Sequence, residues 1–154
     1  MLYYIVPFFI AFIYGVKAEI QTSAENISID IKNKMVTLSG MAKVKQDKNT
    51  TFSAQTITVL WQDQKCMKLK SIKGVGAVRF EHEEISVTSD ACECDMQEVR
   101  FTGNVVIISK DLGEIRAGVA VYGMKSKKIN IFPNGKRVTL KMAEFGFKDR
   151  KKRN

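Results

Sequence analysis

The chain contains one histidine, His82, in the run Glu81-His82-Glu83-Glu84, and this is the only place where an imidazole and carboxylates are grouped for acid–base work or cation binding. Both flanks are strand-like, so the run reads as the exposed tip between two strands. Cysteine chemistry is the other option. Cys92 and Cys94 form a C-x-C pair whose side chains share one face of a strand, and either could meet Cys66 across a neighbouring strand in a disulfide. A metal site would need His82 as its fourth ligand, and a reactive thiol would need an activating cation nearby. The sequence has no G-x-S-x-G, no H-E-x-x-H and no P-loop. These absences leave an enzyme almost nothing to work with, and no catalytic residue, cofactor or metal ligand is assigned.

Charge points instead to binding. The 154 residues carry a net charge of +9, with 45% hydrophobic and 27% charged residues, which excludes bulk disorder and a multi-span membrane protein. A basic surface favours an anionic partner. Nucleic acid is the weaker choice, because Phe52, Phe80 and Phe101 fall in core phase instead of interleaving with Lys and Arg as stacking platforms do. The N-terminus argues the same way. Tyr3 to Val16 is a nearly unbroken apolar run, too short to cross a bilayer comfortably, followed by Val16-Lys17-Ala18 with small residues suited to cleavage after Ala18. Residues 1–18 are therefore expected to be a signal peptide and the protein to be exported. An uncleaved inner-membrane anchor is the alternative, since the leader lacks a basic n-region.

The elements that position these residues are strands. Ile27, Ile29 and Ile31 alternate with polar residues, as do Val36, Leu38, Ala42 and Val44, and the turn Lys32-Asn33-Lys34 separates the two runs. No capped amphipathic helix follows residue 20. Sliding Val36 onto Val99 superposes V-T-L-S-G-M-A-K-V on V-R-F-T-G-N-V-V-I, so that Gly40 falls on Gly103, and a partial third copy places Gly74 in the same role. Glycine inside a strand marks a bend, bulge or close approach. Hairpin units that repeat this way cannot bury an apolar face singly and must stack around a shared core. The expected fold is all-β, two facing antiparallel sheets or one sheet folded over on itself as a V, spanning 19–142. A basic tail, 143–154, is solvated or contacts anionic headgroups.

Such a stack has open ends. Ile27, Ile29 and Ile31 on one side, and Val138 and Leu140 beyond the turn Pro133-Asn134-Gly135 on the other, are expected to be edge strands able to pair with another chain. The inner face is expected to carry Ile29, Val36, Leu38, Val44, Phe52, Phe101, Val105, Ile107, Ile115, Val119 and Val121. These side chains either fill the core or admit acyl chains where the sheets splay. Lys43, Lys45, Lys68, Lys70 and Arg116 take outward positions, where they either meet phosphates or keep the sheet soluble. Trp61 fits a groove or simple packing.

Two segments carry a family resemblance. Phe101 to Val106, F-T-G-N-V-V, and Ile115 to Tyr122, I-R-A-G-V-A-V-Y, resemble the glycine strand and return strand of the OstA-like (LptA-type) lipopolysaccharide transport proteins. The likeness extends over about residues 20–142. It implies a periplasmic β-jellyroll of V-shaped section that holds the acyl chains of lipid A between its sheets. It also implies head-to-tail self-association and docking to inner- and outer-membrane transport components, with no chemistry done on the lipid. A membrane-anchored LptC-like subunit of the same system and a generic secreted β-repeat protein are the alternatives. The three cysteines and Trp61 at the end of the first return strand depart from the family pattern.

Overall fold

A computed structural model describes residues 21–45, 50–62, 69–95, 97–123, 125–126, 128–133, 135 and 137–142. The expected leader, the basic tail, Cys66 and Lys68 lie outside the described residues. Among these residues ten strands form one antiparallel sheet: β1 (Gln21–Ser23), β2 (Asn26–Asp30), β3 (Met35–Lys45), β4 (Thr50–Trp61), β5 (Leu69–His82), β6 (Ile85–Cys94), β7 (Glu98–Ser109), β8 (Gly113–Gly123), β9 (Ile129–Phe132) and β10 (Thr139–Lys141). Each long strand pairs with its sequence neighbour from β3 to β8. β1 and β2 share the outer edge of β3, and β9 and β10 share that of β8. The β2–β3 turn is held by Asp30, whose carboxylate accepts from the Asn33 backbone N–H (2.9 Å) and side-chain amide (2.7 Å). Those two donors hold the Asp30 carboxyl below its ordinary pKa.

The sheet is creased along one line. In β3, β5 and β7 a Gly-X pair adopts positive φ: Gly40 and Met41, Gly76 and Ala77, Gly103 and Asn104. At each pair the ladder register shifts. Inward residues are therefore four apart across the crease in these strands (Leu38 to Ala42, Gly74 to Val78, Phe101 to Val105). They are three apart in the intervening strands (Ala54 to Ile57, Ser89 to Cys92). That mismatch of one residue is a β-bulge, which bends the strand that carries the extra residue. Three bulges in line bend the whole sheet. Over each bulge glycine lies a polar side chain from the preceding strand segment: Glu25 over Gly40, Gln55 over Gly76, Asp90 over Gly103.

Folding along the crease gives two layers. One contains β1, the 42–45 end of β3, 50–54 of β4, 78–82 of β5, 85–89 of β6, 105–109 of β7, 113–117 of β8, and β10. The other contains β2, the opposite ends of the same long strands, and β9. Between them sits a core whose centre is filled by Phe80, Val78, Val87, Val99 and Val105, all buried. The all-β, folded-over architecture anticipated from the alternation is thus observed.

Two local expectations are corrected. The second bulge glycine is Gly76, not Gly74; Gly74 has ordinary strand geometry and faces inward, where a Cβ would stand 2.7 Å from Phe52 Cζ. His82 is not at an exposed tip: β5 runs through it, the turn is Glu83–Glu84, and the buried imidazole Nδ1 lies 2.6 Å from Thr50 Oγ1.

Candidate functional site

Among the described residues the interior holds two apolar cavities, one at each end of the layered sheet. At the β1–β5 end a space of about 200 Å³ is walled by Val44, Phe52 and Thr22 from one layer and by Val36, Leu38, Ile57, Val59 and Ile72 from the other. At the β6–β9 end a space of about 160 Å³ lies between Ile85, Val87, Ile107, Leu112 and Ile115 on one side and Phe101, Ala120, Tyr122, Ile129 and Ile131 on the other. Each cavity takes residues from both sides of the crease, so the fold line creates the space. A cavity of about 150 Å³ accommodates a benzene-sized apolar group.

The anticipated inner-face residues fall into three groups. Leu38, Val44, Phe52, Phe101, Val105 and Ile107 point inward and are buried, while Val36 and Ile115 are half-buried against the same core. Ile29 is on the inward side of β2, opposite Val36, yet it is 64% exposed. Val119 and Val121 lie opposite Thr102 and Arg100, out of phase with the inward-facing Phe101. The cause is the crossing of the crease at Gly118, which reverses the alternation in β8. Val121 is nevertheless buried and borders the smaller cavity, whereas Val119 is half-buried on the outward side. Sequence reasoning missed Ile57, Val59, Ile72, Val87, Ala120, Tyr122, Ile129 and Ile131. Cross-strand phase, counted across a bulge, is the signal that identifies them.

Both rims are apolar. Ile27 and Ile29 on β2 are in register with Leu38 and Val36, so they continue the inner face to its edge while 58% and 64% exposed. At the opposite rim Leu140 continues the row of Ile115 on β10, and Val138 and Met142 flank it, all three exposed. Ile31 is exposed in the β2–β3 turn. An aqueous edge made of inward-facing isoleucine and leucine is unusual for a soluble sheet, whose exposed edges are ordinarily charged or short.

Polar candidates are arranged differently. Lys43, Lys70 and Arg116 are exposed and Lys45 is half-buried; Arg116 is ion-paired with Glu114 on its own strand. Trp61 is half-buried at the end of β4, where its backbone N–H donates to the Lys34 carbonyl (3.1 Å). Cys92 and Cys94 both point into the core as free thiols, Cys92 between Gly74 and Phe101 and Cys94 between Ile72 and Val99. Burial pushes both thiols well above the ordinary range, and each is raised further by a neighbouring negative charge. Among the described residues no group of three or more His, Cys, Asp or Glu converges as a metal site.

No protein-family model matches the sequence, and no curated protein matches it. Among solved structures the chain is similar to LptH from Pseudomonas aeruginosa, the LptA-homologous periplasmic component of the lipopolysaccharide transport device, with a TM-score of 0.68 and 13% identity. The match covers 83% of this chain and 97% of that one. The likeness is one of architecture: this chain is a folded-over, antiparallel β-jellyroll of the LptH type.

Proposed function

We propose that the protein is a periplasmic lipopolysaccharide carrier that shelters acyl chains between its layers and joins transport neighbours through its terminal strands. The observation that carries this reading is the pair of apolar cavities between the layers, together with inward-phase aliphatic side chains left in water at both edges of the sheet. The fold shared with LptH, itself a periplasmic transport component, supports the same class of cargo. The acyl-contacting set is the inner-face group around Val36, Leu38, Val44 and Phe52 at one end and Phe101, Ile107, Ile115 and Val121 at the other. Ile27, Ile29, Val138 and Leu140 serve the edges. In this reading residues 1–18 direct export and are cleaved, which releases the carrier into the periplasm.

The energetics are sufficient without polar recognition. If each cavity takes a segment of about six carbons, and each buried methylene contributes about 0.8 kcal/mol, one cavity supplies about 5 kcal/mol before ordering costs. The test is displacement of a fluorescent fatty acid from the folded protein by purified lipopolysaccharide. Lipopolysaccharide should compete, and filling the cavities with Ile115→Trp and Val36→Trp should weaken both ligands while circular dichroism stays native. Failure of lipopolysaccharide to compete, or unchanged affinity in folded cavity-filled variants, overturns the reading. For the edges, a photo-reactive side chain at Ile29 or Leu140 should capture a strand-pairing neighbour in the envelope, and capture of nothing rejects that part.

A further inference from the structure

The crease repeats three times, and this repetition separates what the fold requires from what it does not. At the outward position of the Gly-X pair the first two copies carry Met41 and Ala77, so a bulge of this shape needs no polar side chain there. The third copy carries Asn104, whose Nδ2 donates to Asp90 Oδ2 (2.9 Å). Two residues before the crease, β4 has Ser53 and β6 has Thr88, whereas β8 has Arg116. Opposite Ala117 and Gly118 neither β9 nor β10 supplies a paired residue, because β9 pairing begins at Val119 and β10 pairing ends at Arg116. Arg137 borders the same space.

The result is a groove of about 450 Å³ on the outside of the crease, bordered by Asp90, Gly103, Asn104, Arg116, Gly118 and Arg137. Arg116 is held by Glu114 through Nε, which fixes the plane of its guanidinium. No described carboxylate lies within ion-pair range of Arg137. Two guanidinium groups match a phosphate or carboxylate. A carboxylate and an amide next to them match hydroxyl groups, which both donate and accept. Gly118, which borders the groove without a side chain, lets a ligand approach the backbone there, whereas Asp90 covers Gly103.

We infer that this groove is a binding site for an acidic saccharide, a sugar bearing phosphate or carboxylate, separate from the apolar interior. The anionic group sits between Arg116 and Arg137, and the ring hydroxyls sit on Asn104 and Asp90. This inference does not rest on the acyl-chain reading, because the groove faces away from both cavities and is read by a different probe. The chemistry is shared by a soluble sugar phosphate and by the headgroup of a glycolipid.

The experiment is a titration of the ¹⁵N-labelled protein, followed by amide resonances, with glucose 1-phosphate, glucuronate, glucose and inorganic phosphate. Glucose 1-phosphate and glucuronate should shift the Asn104 side-chain amide and the Ala117 and Gly118 backbone amides, saturating at about 1–10 mM. Glucose and phosphate alone should each bind at least about tenfold more weakly, since each satisfies half of the groove. Arg137→Ala should weaken glucose 1-phosphate about tenfold. Asn104→Ala should weaken the sugar acids while leaving phosphate unchanged; it is expected to fold, because Ala77 occupies the equivalent backbone position. No shift at these residues, or equal affinity for phosphate and glucose 1-phosphate, overturns the inference, as does binding that survives both substitutions. If the groove proves to bind, detergent-solubilised glycolipid competing for the same resonances distinguishes a lipid headgroup from a soluble sugar.

Discussion

Replacing Gly74 by alanine tests how tightly the wall of the larger cavity is built. The added Cβ would lie 2.7 Å from Phe52 Cζ, 3.4 Å from Phe52 Cε1 and 3.5 Å from Ala54 Cβ, so the phenyl ring must move. Overpacking of a core costs about 1–3 kcal/mol. Here the ring borders a cavity of about 200 Å³ and has room to yield, which places the cost at the lower end, about 1–2 kcal/mol. The displaced ring then occupies space proposed for acyl chains, so fatty-acid affinity should fall together with stability. Phe52→Leu removes the obstructing Cζ and by itself costs about 1–2 kcal/mol through lost burial. If the clash is the cause, Gly74→Ala adds nothing further in the Phe52→Leu background. The assay is urea unfolding of wild type, both single variants and the double variant, compared at constant m. A double variant as unstable as the sum of the singles, or Gly74→Ala within about 0.5 kcal/mol of wild type, refutes the reasoning.

Gly76→Ala should behave in the opposite way. Its positive φ costs a side chain about 1–2 kcal/mol, and Gln55→Ala, which clears the space above it, should not restore the loss in urea unfolding. Cys92 and Cys94 should resist iodoacetamide at pH 8 in the folded protein and react after urea unfolding, as read by mass spectrometry. Their pKa values are raised by folding, so the stability they contribute is complete below the unfolded thiol value of 9.0 and is lost as pH rises beyond it. Each thiol should add about 1.4 kcal/mol of lost stability per pH unit there, and the Cys92→Ala, Cys94→Ala double variant should flatten the slope.

What the sequence discloses here is periodicity, and periodicity fails where the backbone inserts a residue. The alternation of Val36, Leu38, Ala42 and Val44 identified β3 and its inward face because Gly40 and Met41 take up the extra residue without changing parity. In β8 the same crease is crossed by a strand with no extra residue, so alternation from Ile115 through Ala117 predicts Val119 inward, while the structure turns Ala120 and Tyr122 inward. Gly74 and Gly76 are two residues apart, and only backbone conformation tells the packing glycine from the bulge glycine. His82 was hidden by its neighbours: three glutamates read as a solvated tip, whereas strand phase carries His82 inward beside Thr50. The outer groove was not legible, because Asn104, Arg116 and Arg137 come together only when β8 is left unpaired between two short edge strands.

The crease also explains why each edge of the sheet is broken into two strands. β1 ends at Ser23 and β2 begins at Asn26, with Glu25 between them lying over Gly40. β9 ends at Phe132 and β10 begins at Thr139, flanking Gly118, which stands opposite the third bulge. A continuous straight strand cannot follow an edge bent at this line, because hydrogen bonding on one side of the bulge points away from the other. Any chain that adds to β2 or β10 therefore covers only one layer unless it carries a matching bend. Ordinary extended peptides gain a few ladder pairs and leave the other layer's edge open, while a partner sheet creased at the same height engages both layers and continues the apolar interior. Under the proposed function, the bulge line that opens the cavities is the same feature that selects the neighbour.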